Sequence, residues 1–144
     1  MSTATVTIVG TNPLIAKLNK LPNAVQKRVL RPALRKGARL IQKAAQGGAP
    51  VDTGLMRRSL TVKAMKTKKN RIGSMVMYRN VDLLLRFSKA GKRYFYPAAV
   101  EYGHSGHDGT HFIREAFDSK QASAESMILR EIATGIEREA ALKK

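Results

Sequence analysis

Apolar residues recur at helical spacing in two long stretches of the chain, one in each half. From about Asn23 to Gln46 the spacing predicts an amphipathic helix with basic residues on its other side, ending at Gly47 and Gly48. Pro32 lies inside this helix and predicts a kink or a join between two shorter helices. From Phe112 onward a second long helix is predicted, with an apolar stripe formed by Met127, Ile128, Ile132, Ile136 and Ala140.

Alternating patterns predict strands between these two helices. Ser59–Lys66 and Ile72–Tyr78 alternate, and the basic, turn-like stretch Lys66–Asn70 links them as a predicted hairpin. Tyr94–Tyr102 is predicted as a third strand. Pro97 interrupts it and favours an edge or a bend there, because proline cannot donate a hydrogen bond to a sheet.

The N-terminal segment adds a strand and a short helix. Thr3–Val9 is rich in β-branched residues and is predicted as a strand, and Asn12 with Pro13 begins a helix that runs through Leu21. These elements predict the α+β class: a small antiparallel sheet packed by a long kinked N-terminal helix and a C-terminal helix. For 144 residues we expect a single domain over positions 1–144.

Charge is distributed unevenly along the chain. The formal net charge is +17, and 21 basic residues but only 2 acidic residues lie between Lys17 and Arg93. From Glu101 to the end, eight acidic residues face six basic ones. This polarity favours a polyanionic neighbour, either nucleic acid or an acidic protein surface. The chain has no cysteine, which excludes disulfides and thiolate metal sites and favours a reducing cytoplasm; no signal peptide or membrane span is expected.

Two chemical alternatives arise from local clusters. His104, His107, Asp108 and His111 are possible metal ligands within eight residues, but their stretch is Gly-rich and lacks the helical HExxH spacing, so metal binding and catalysis are disfavoured and no cofactor is expected. The second alternative is a basic nucleic-acid-binding module. In such a module, the bases of a single-stranded nucleic acid would stack on Tyr94, Phe95 and Tyr96, beside the cations Lys92 and Arg93. Alternation along a strand would instead bury Phe95.

Three short segments stand out in the order in which they occur. Residues 49–55 read APVDTGL and are followed by Arg57, Arg58 and Ser59. Residues 96–104 read YPAAVEYGH, and residues 111–117 read HFIREAF at the start of the last helix. Following a long basic helix, these segments resemble the small neck and tail-completion proteins of long-tailed bacteriophages and prophages. The resemblance covers nearly the whole chain and departs from the family pattern at His111, where a proline is commoner.

The resemblance implies a structural virion protein and not an enzyme. Such a protein would form a ring, with sixfold symmetry expected, in the neck of the virion after assembly in the host cytoplasm. The ring would join the head-closure or connector proteins to the tail terminator or tail tube protein. Genomic DNA passes through the channel of such a ring, so the basic residues are expected to face either DNA or the acidic faces of neighbouring rings.

Candidate site residues fall into four groups. A tight turn between helix and strand is expected at Pro50, Asp52, Thr53 and Gly54, with φ above zero at the glycine. Glu101 is expected to form an ion pair, within or between subunits, with Arg57 or Arg58. Core or interface anchors are expected at Tyr102, Phe112 and Phe117. Contacts with a polyanion or a neighbour are expected in a turn and a loop, at Lys66, Lys68, Lys69 and Arg71 and at Lys89, Lys92 and Arg93.

Overall fold

A computed structural model describes residues 12–66 and 71–142. Its helices are α1 (Asn12–Asn19), α2 (Asn23–Gly48), α3 (Leu55–Ser59), α4 (Tyr96–Tyr102) and α5 (Phe112–Ala141). Its strands are β1 (Leu60–Ala64), β2 (Ser74–Tyr78), β3 (Leu85–Phe87), β4 (Arg93–Phe95), β5 (Gly103–His104) and β6 (His107–Asp108). The α+β class is confirmed, as are the long helices in each half. The strand expected at Thr3–Val9 lies outside the described residues.

The two longest helices, α2 and α5, pack against each other in antiparallel fashion. Arg28 pairs with Glu139 at 2.9 Å, and Lys36 pairs with Glu131 at 2.7 Å, so position numbers rise along one helix as they fall along the other. These ion pairs are partly solvated and contribute little, so the apolar residues between the helices supply most of the stability. No helix in the described part of the chain is both long and apolar enough to cross a membrane.

Glycines bring the two helices unusually close together. A Cβ atom on Gly37 of α2 would lie 2.5 Å from Cγ1 of Ile128 on α5. In the reciprocal contact, a Cβ atom on Gly135 of α5 would lie 2.8 Å from Cγ1 of Val29 on α2. Each helix therefore accepts an apolar side chain of the other at a position where any side chain of its own would collide.

Two hydrophobic cores lie along this helix pair. The first is enclosed by α1 and contains Leu18, Val29, Ala33 and Ile132, with Leu14, Leu21, Leu30, Ile128 and Ile136 packed around them. The second is enclosed by the strands and short helices and contains Ala45, Ala49, Met56, Leu60, Leu84, Phe112 and Ala116. Of the stripe predicted on α5, Ile128, Ile132 and Ile136 belong to the first core, whereas Ala140 is exposed.

The strands form three separate two-stranded antiparallel sheets within the described residues, which corrects the expectation of one sheet. The hairpin predicted from the sequence is confirmed, with Leu60 of β1 opposite Tyr78 of β2. Gln42 of α2 donates a hydrogen bond from Nε2 to the carbonyl oxygen of Leu60 at 2.8 Å, and this contact ties the hairpin to the helix. The other two hairpins join β3 to β4 and β5 to β6.

The third predicted strand is wrong, and one of the two effects predicted for Pro32 is excluded. Only Tyr94 and Phe95 of the strand predicted at Tyr94–Tyr102 are extended, and α4 follows them, because Pro97 occupies the first turn of that helix, where its missing N–H costs nothing. Pro32 does not divide α2 into two helices, since the helix runs unbroken through it for 26 residues. The kink there stays a prediction. The Gly-rich segment after α4 is ordered as the β5–β6 hairpin.

The close helix approach can be tested with two alanine substitutions. Both Gly37→Ala and Gly47→Ala replace a helical glycine and gain up to about 1 kcal/mol of helix propensity. At Gly47 an added Cβ atom meets nothing within 4 Å, whereas at Gly37 it meets Ile128 and the carbonyl oxygen of Ala124. We expect Gly37→Ala to be less stable than Gly47→Ala by about 1–3 kcal/mol in urea unfolding, because it overpacks the interface. Equal stability of the two variants would contradict the close approach.

Candidate assembly site

The three segments singled out in the sequence meet in the second hydrophobic core. The first contributes Ala49 and Leu55, the second contributes Tyr96 and Val100, and the third contributes Phe112 together with Ile113 and Ala116. Phe112 is only 3% exposed, so of the three predicted anchors it is the one that belongs to the core. Residues almost seventy positions apart in the chain, from Ala49 to Ala116, therefore form one structural unit.

The first segment is a turn stabilised by local contacts. Gly54 has φ of 71°, the left-handed conformation that glycine adopts at little cost, and it precedes the first residue of α3. The hydroxyl of Thr53 accepts a hydrogen bond from the backbone N–H of Leu55 at 3.3 Å. Pro50 and Asp52 are exposed at the end of α2. The turn leads into α3 and only then into β1, so the sequence missed a short helix between the turn and the strand.

Glu101 is the buried charge that joins the second segment to the third. It lies on α4 and is 5% exposed. Its carboxylate accepts backbone hydrogen bonds from Ile113 at 3.0 Å and Arg114 at 3.1 Å, both in the first turn of α5. The first N–H groups of a helix have no partner within the helix, and the helix dipole favours a negative charge beside them. Glu101 therefore caps α5 from another part of the chain.

The ion pair predicted for Glu101 within the subunit is wrong for the described residues. Arg57 donates from Nη2 to the carbonyl oxygen of Ala49 at 3.2 Å, and Arg58 donates to that of Thr53 at 3.2 Å. Both arginines thus stabilise the first segment and do not neutralise the carboxylate. Sequence reasoning paired the acid with the arginines that follow the first segment, because it could not see that the start of α5 supplies the compensating donors. A pair across a subunit boundary stays a prediction.

The backbone around Glu101 fixes the path of the chain into α5. The carbonyl oxygen of Glu101 accepts a hydrogen bond from the N–H of His111 at 3.1 Å. A Cβ atom on Gly109 would approach that same oxygen to 2.3 Å, so only glycine fits there. His111 itself has φ of 48°, which a proline ring, fixed near −65°, cannot adopt. The departure from the family pattern at His111 therefore suits this path.

Tyr78 of β2 lies beside this junction. Burial raises the pKa of its hydroxyl well above the ordinary value, and the negative charge of Glu101 raises it further. Its ring packs edge-on against Phe95 with 5.5 Å between ring centroids. The phenol therefore stays neutral and acts as part of the core.

A second feature is a concave surface on the other side of α4, which we call the basic aromatic surface. It borders a hollow of about 1110 Å³, and it is defined here by Phe87, Lys89, Lys92, Arg93, Tyr94 and Tyr102. Among the residues that the structure describes, no carboxylate lines the hollow, and Phe87 and Tyr102 are 70% and 73% exposed. The loop with the predicted contact residues Lys89, Lys92 and Arg93 therefore lies on the same surface as Tyr102. Of the other predicted contact residues, Lys66 and Arg71 are exposed, and Lys68 and Lys69 lie outside the described residues.

The histidines proposed as metal ligands do not gather into a site. His104 and His107 face each other across the β5–β6 hairpin with ring centroids 4.8 Å apart. Within residues 12–66 and 71–142, no three His, Asp or Glu side chains are placed to share a metal ion. The two rings instead form part of the wall of the hollow.

A third feature is an apolar groove between α2 and α5, which we call the α2–α5 groove. Its volume is about 260 Å³, and we define it by its main lining residues, Leu34, Ala38, Ile41, Phe117, Glu125 and Ile128. All six of these side chains are half-buried, and Glu125 is the only charged residue that the described part of the chain contributes to the lining. Phe117, a predicted anchor, therefore lines a surface groove rather than the core. The sequence carried no signal for the groove, because its two walls come from helices about eighty positions apart.

Comparison with known proteins adds one match. The family model described as "Bacteriophage HK97-gp10, putative tail-component" matches residues 12–103, a range that runs from α1 to the end of α4. It includes the first segment and all but the last residue of the second, while the third segment and α5 follow it. No curated protein and no solved structure matches the chain.

Removal of the Glu101 carboxylate should destabilise the protein. Glu101→Ala leaves two N–H groups at the start of α5 without their partner, and we expect a loss of about 1–3 kcal/mol in the free energy of unfolding. Glu115→Ala is the matched control, since Glu115 lies in the same helical turn but is exposed. Thermal and urea unfolding measure both. If the two variants lose the same stability, Glu101 does not cap α5.

Proposed function

Because the chain belongs to the HK97-gp10-like family of bacteriophage tail components, we propose that it is a structural protein of the phage neck. In this proposal, copies of the chain form a ring, with six subunits expected. The ring joins the head-closure or connector proteins to the tail terminator or tail tube protein and completes the tail. Its place is in the virion, and its role is assembly rather than catalysis.

The observation that carries this proposal is the family match to residues 12–103. This range contains the first segment and all but the last residue of the second, and both segments belong to the second hydrophobic core. The helix pair and the start of α5 make a stiff frame, because the helices are tightly packed at Gly37 and Gly135 and the buried carboxylate of Glu101 holds the first turn of α5. The two hydrophobic cores share α2 and α5, which supports treating the chain as one domain. A stiff frame with exposed loops suits a subunit that works by fitting between neighbours.

The charge of the chain supports a position beside a polyanion. With a net charge of +17 per copy, subunits in a ring repel one another unless their neighbours supply negative charge. Genomic DNA in the channel and acidic faces of the adjoining rings both supply it. Lys89, Lys92 and Arg93 are exposed and gathered on one surface, which makes them the first candidates for that contact.

A phage that lacks this protein tests the neck assignment. We expect infected cells to contain DNA-filled heads and finished tails that fail to join, because the missing ring is the link between them. Electron microscopy of the lysate shows the two kinds of particle, and expression of the wild-type protein from a plasmid should restore joined virions. Normal joined particles without the protein would refute the assignment.

One observation favours a second candidate function, a nucleic-acid-binding module. Aromatic and basic side chains share the hollow of the basic aromatic surface, as they do in proteins that stack unpaired bases beside a charged groove. The two functions differ in the binding partner of this surface and in the state of the subunit. The neck protein would act in a ring, whereas the module would bind single strands as a free subunit.

A salt titration separates the two candidates. For the module we expect tight binding of the monomer to short single-stranded DNA. The affinity should fall steeply as the salt concentration rises, because each lysine or arginine that binds a phosphate releases a counterion from the DNA. Neutralisation of Lys89, Lys92 and Arg93 to Gln should then abolish binding, whereas the same change at Lys17, Lys20 and Lys43, three exposed cations elsewhere, should not. Weak binding that depends equally on both sets would leave the neck protein as the better candidate.

A further inference from the structure

The basic aromatic surface leaves two large apolar side chains in solvent. The chain has only four Phe and four Tyr residues, and two of them, Phe87 and Tyr102, are about 70% exposed on this one surface. Phe87 ends β3 at the base of a hairpin loop, where Ser88 accepts a backbone hydrogen bond from Lys92 at 3.1 Å and holds the loop closed. Exposed aromatic residues with basic neighbours are typical of interaction surfaces.

The α2–α5 groove has the opposite properties. Its walls are apolar apart from Ser74, Gln121 and Glu125, and Glu125 makes no ion pair within the described part of the chain. The groove and the basic aromatic surface have no residue in common. One surface thus offers a projecting aromatic ring among cations, and the other offers an apolar cavity with a carboxylate in its lining.

We propose that the loop carrying Phe87 inserts into the α2–α5 groove of a second copy of this chain, with Lys89 or Lys92 against Glu125. This inference rests on the ring proposed above and names its subunit contact. Since the two surfaces are different parts of the same chain, the contact is head-to-tail, and such contacts propagate from copy to copy until the ring closes.

Duplex DNA fits the two surfaces less well than a second copy does. Paired and stacked bases offer Phe87 and Tyr102 no apolar face, and DNA repels Glu125. The α2–α5 groove of a second copy offers apolar walls to an aromatic ring and the carboxylate of Glu125 to a cation. The uneven charge of the chain points the same way, because the acidic residues concentrate from Glu101 onward, mostly on α5, which carries one wall of the groove. Contact with α5 offsets part of the repulsion between strongly basic subunits.

The absence of cysteine from the chain allows a direct test by cross-linking. We would introduce thiols by Ala90→Cys, at the exposed tip of the loop that carries Phe87, and by Ala38→Cys, in the groove, so that Phe87 itself stays in place, and treat the purified full chain with a short bis-maleimide. The double variant should give a ladder of cross-linked oligomers. Each single variant should give no cross-link alone, and a mixture of the two should stop at dimers, because only one joint can form between them.

The matched control replaces Ala90→Cys by Leu83→Cys in the double variant. Like Phe87, Leu83 is a large exposed apolar residue, 56% exposed, but it belongs to neither surface. We expect no ladder from this control. In sedimentation, Phe87→Ala should weaken self-association of the wild-type chain by at least about tenfold, and Leu83→Ala should leave it unchanged.

Three outcomes would overturn the contact: a double variant that cross-links no better than the control, an Ala90→Cys variant that cross-links to itself, or a wild-type chain that stays monomeric. Protection of the thiol at position 90 by duplex DNA, in place of a ladder, would also overturn it and identify DNA as the occupant. The phage that lacks the protein tests the neck proposal independently of this subunit contact. If heads and tails fail to join but no ladder forms, the neck proposal stands and only this contact is wrong.

Discussion

Two glycines let α2 and α5 lie so close that each helix receives an apolar side chain of the other. Gly37 accepts Ile128, and Gly135 accepts Val29, on two antiparallel helices of 26 and 30 residues. Both hydrophobic cores are built on this pair, one under α1 and one under the hairpins and short helices. A larger residue at either glycine would separate the helices and open both cores, so the rest of the molecule depends on this contact.

Glu101 sets where the second of these helices begins. Burying a carboxylate is costly unless hydrogen bonds and a favourable field compensate it, and the start of α5 supplies both through Ile113 and Arg114. The cap also fixes α4 against α5, and with them the hairpins that border the hollow. A structural residue in the centre of the molecule thereby positions the basic aromatic surface at its edge. The segments that resemble phage neck proteins are, in this structure, the parts that build the frame.

The outer surfaces of this frame differ in character. Basic and aromatic residues gather beside α4, while an apolar groove with a carboxylate runs between α2 and α5. In the proposed ring these surfaces have a common purpose, because a subunit of a ring needs a different face for each of its two neighbours. The high positive charge limits which partners the proposed ring can have, since its subunits repel one another unless a partner supplies negative charge.

The sequence by itself determined the elements whose signals are local. Helical periodicity placed α2 and α5, alternation placed the β1–β2 hairpin, and glycine after Thr53 indicated the positive φ of the turn. Only the tertiary structure decided the role of Glu101, because its partners are backbone groups that carry no residue identity and lie twelve or more positions away. It also decided that Pro97 begins a helix, and that Phe112 is buried while Tyr102 is exposed. Local patterns state which face is apolar, but what covers that face depends on the packing of distant segments.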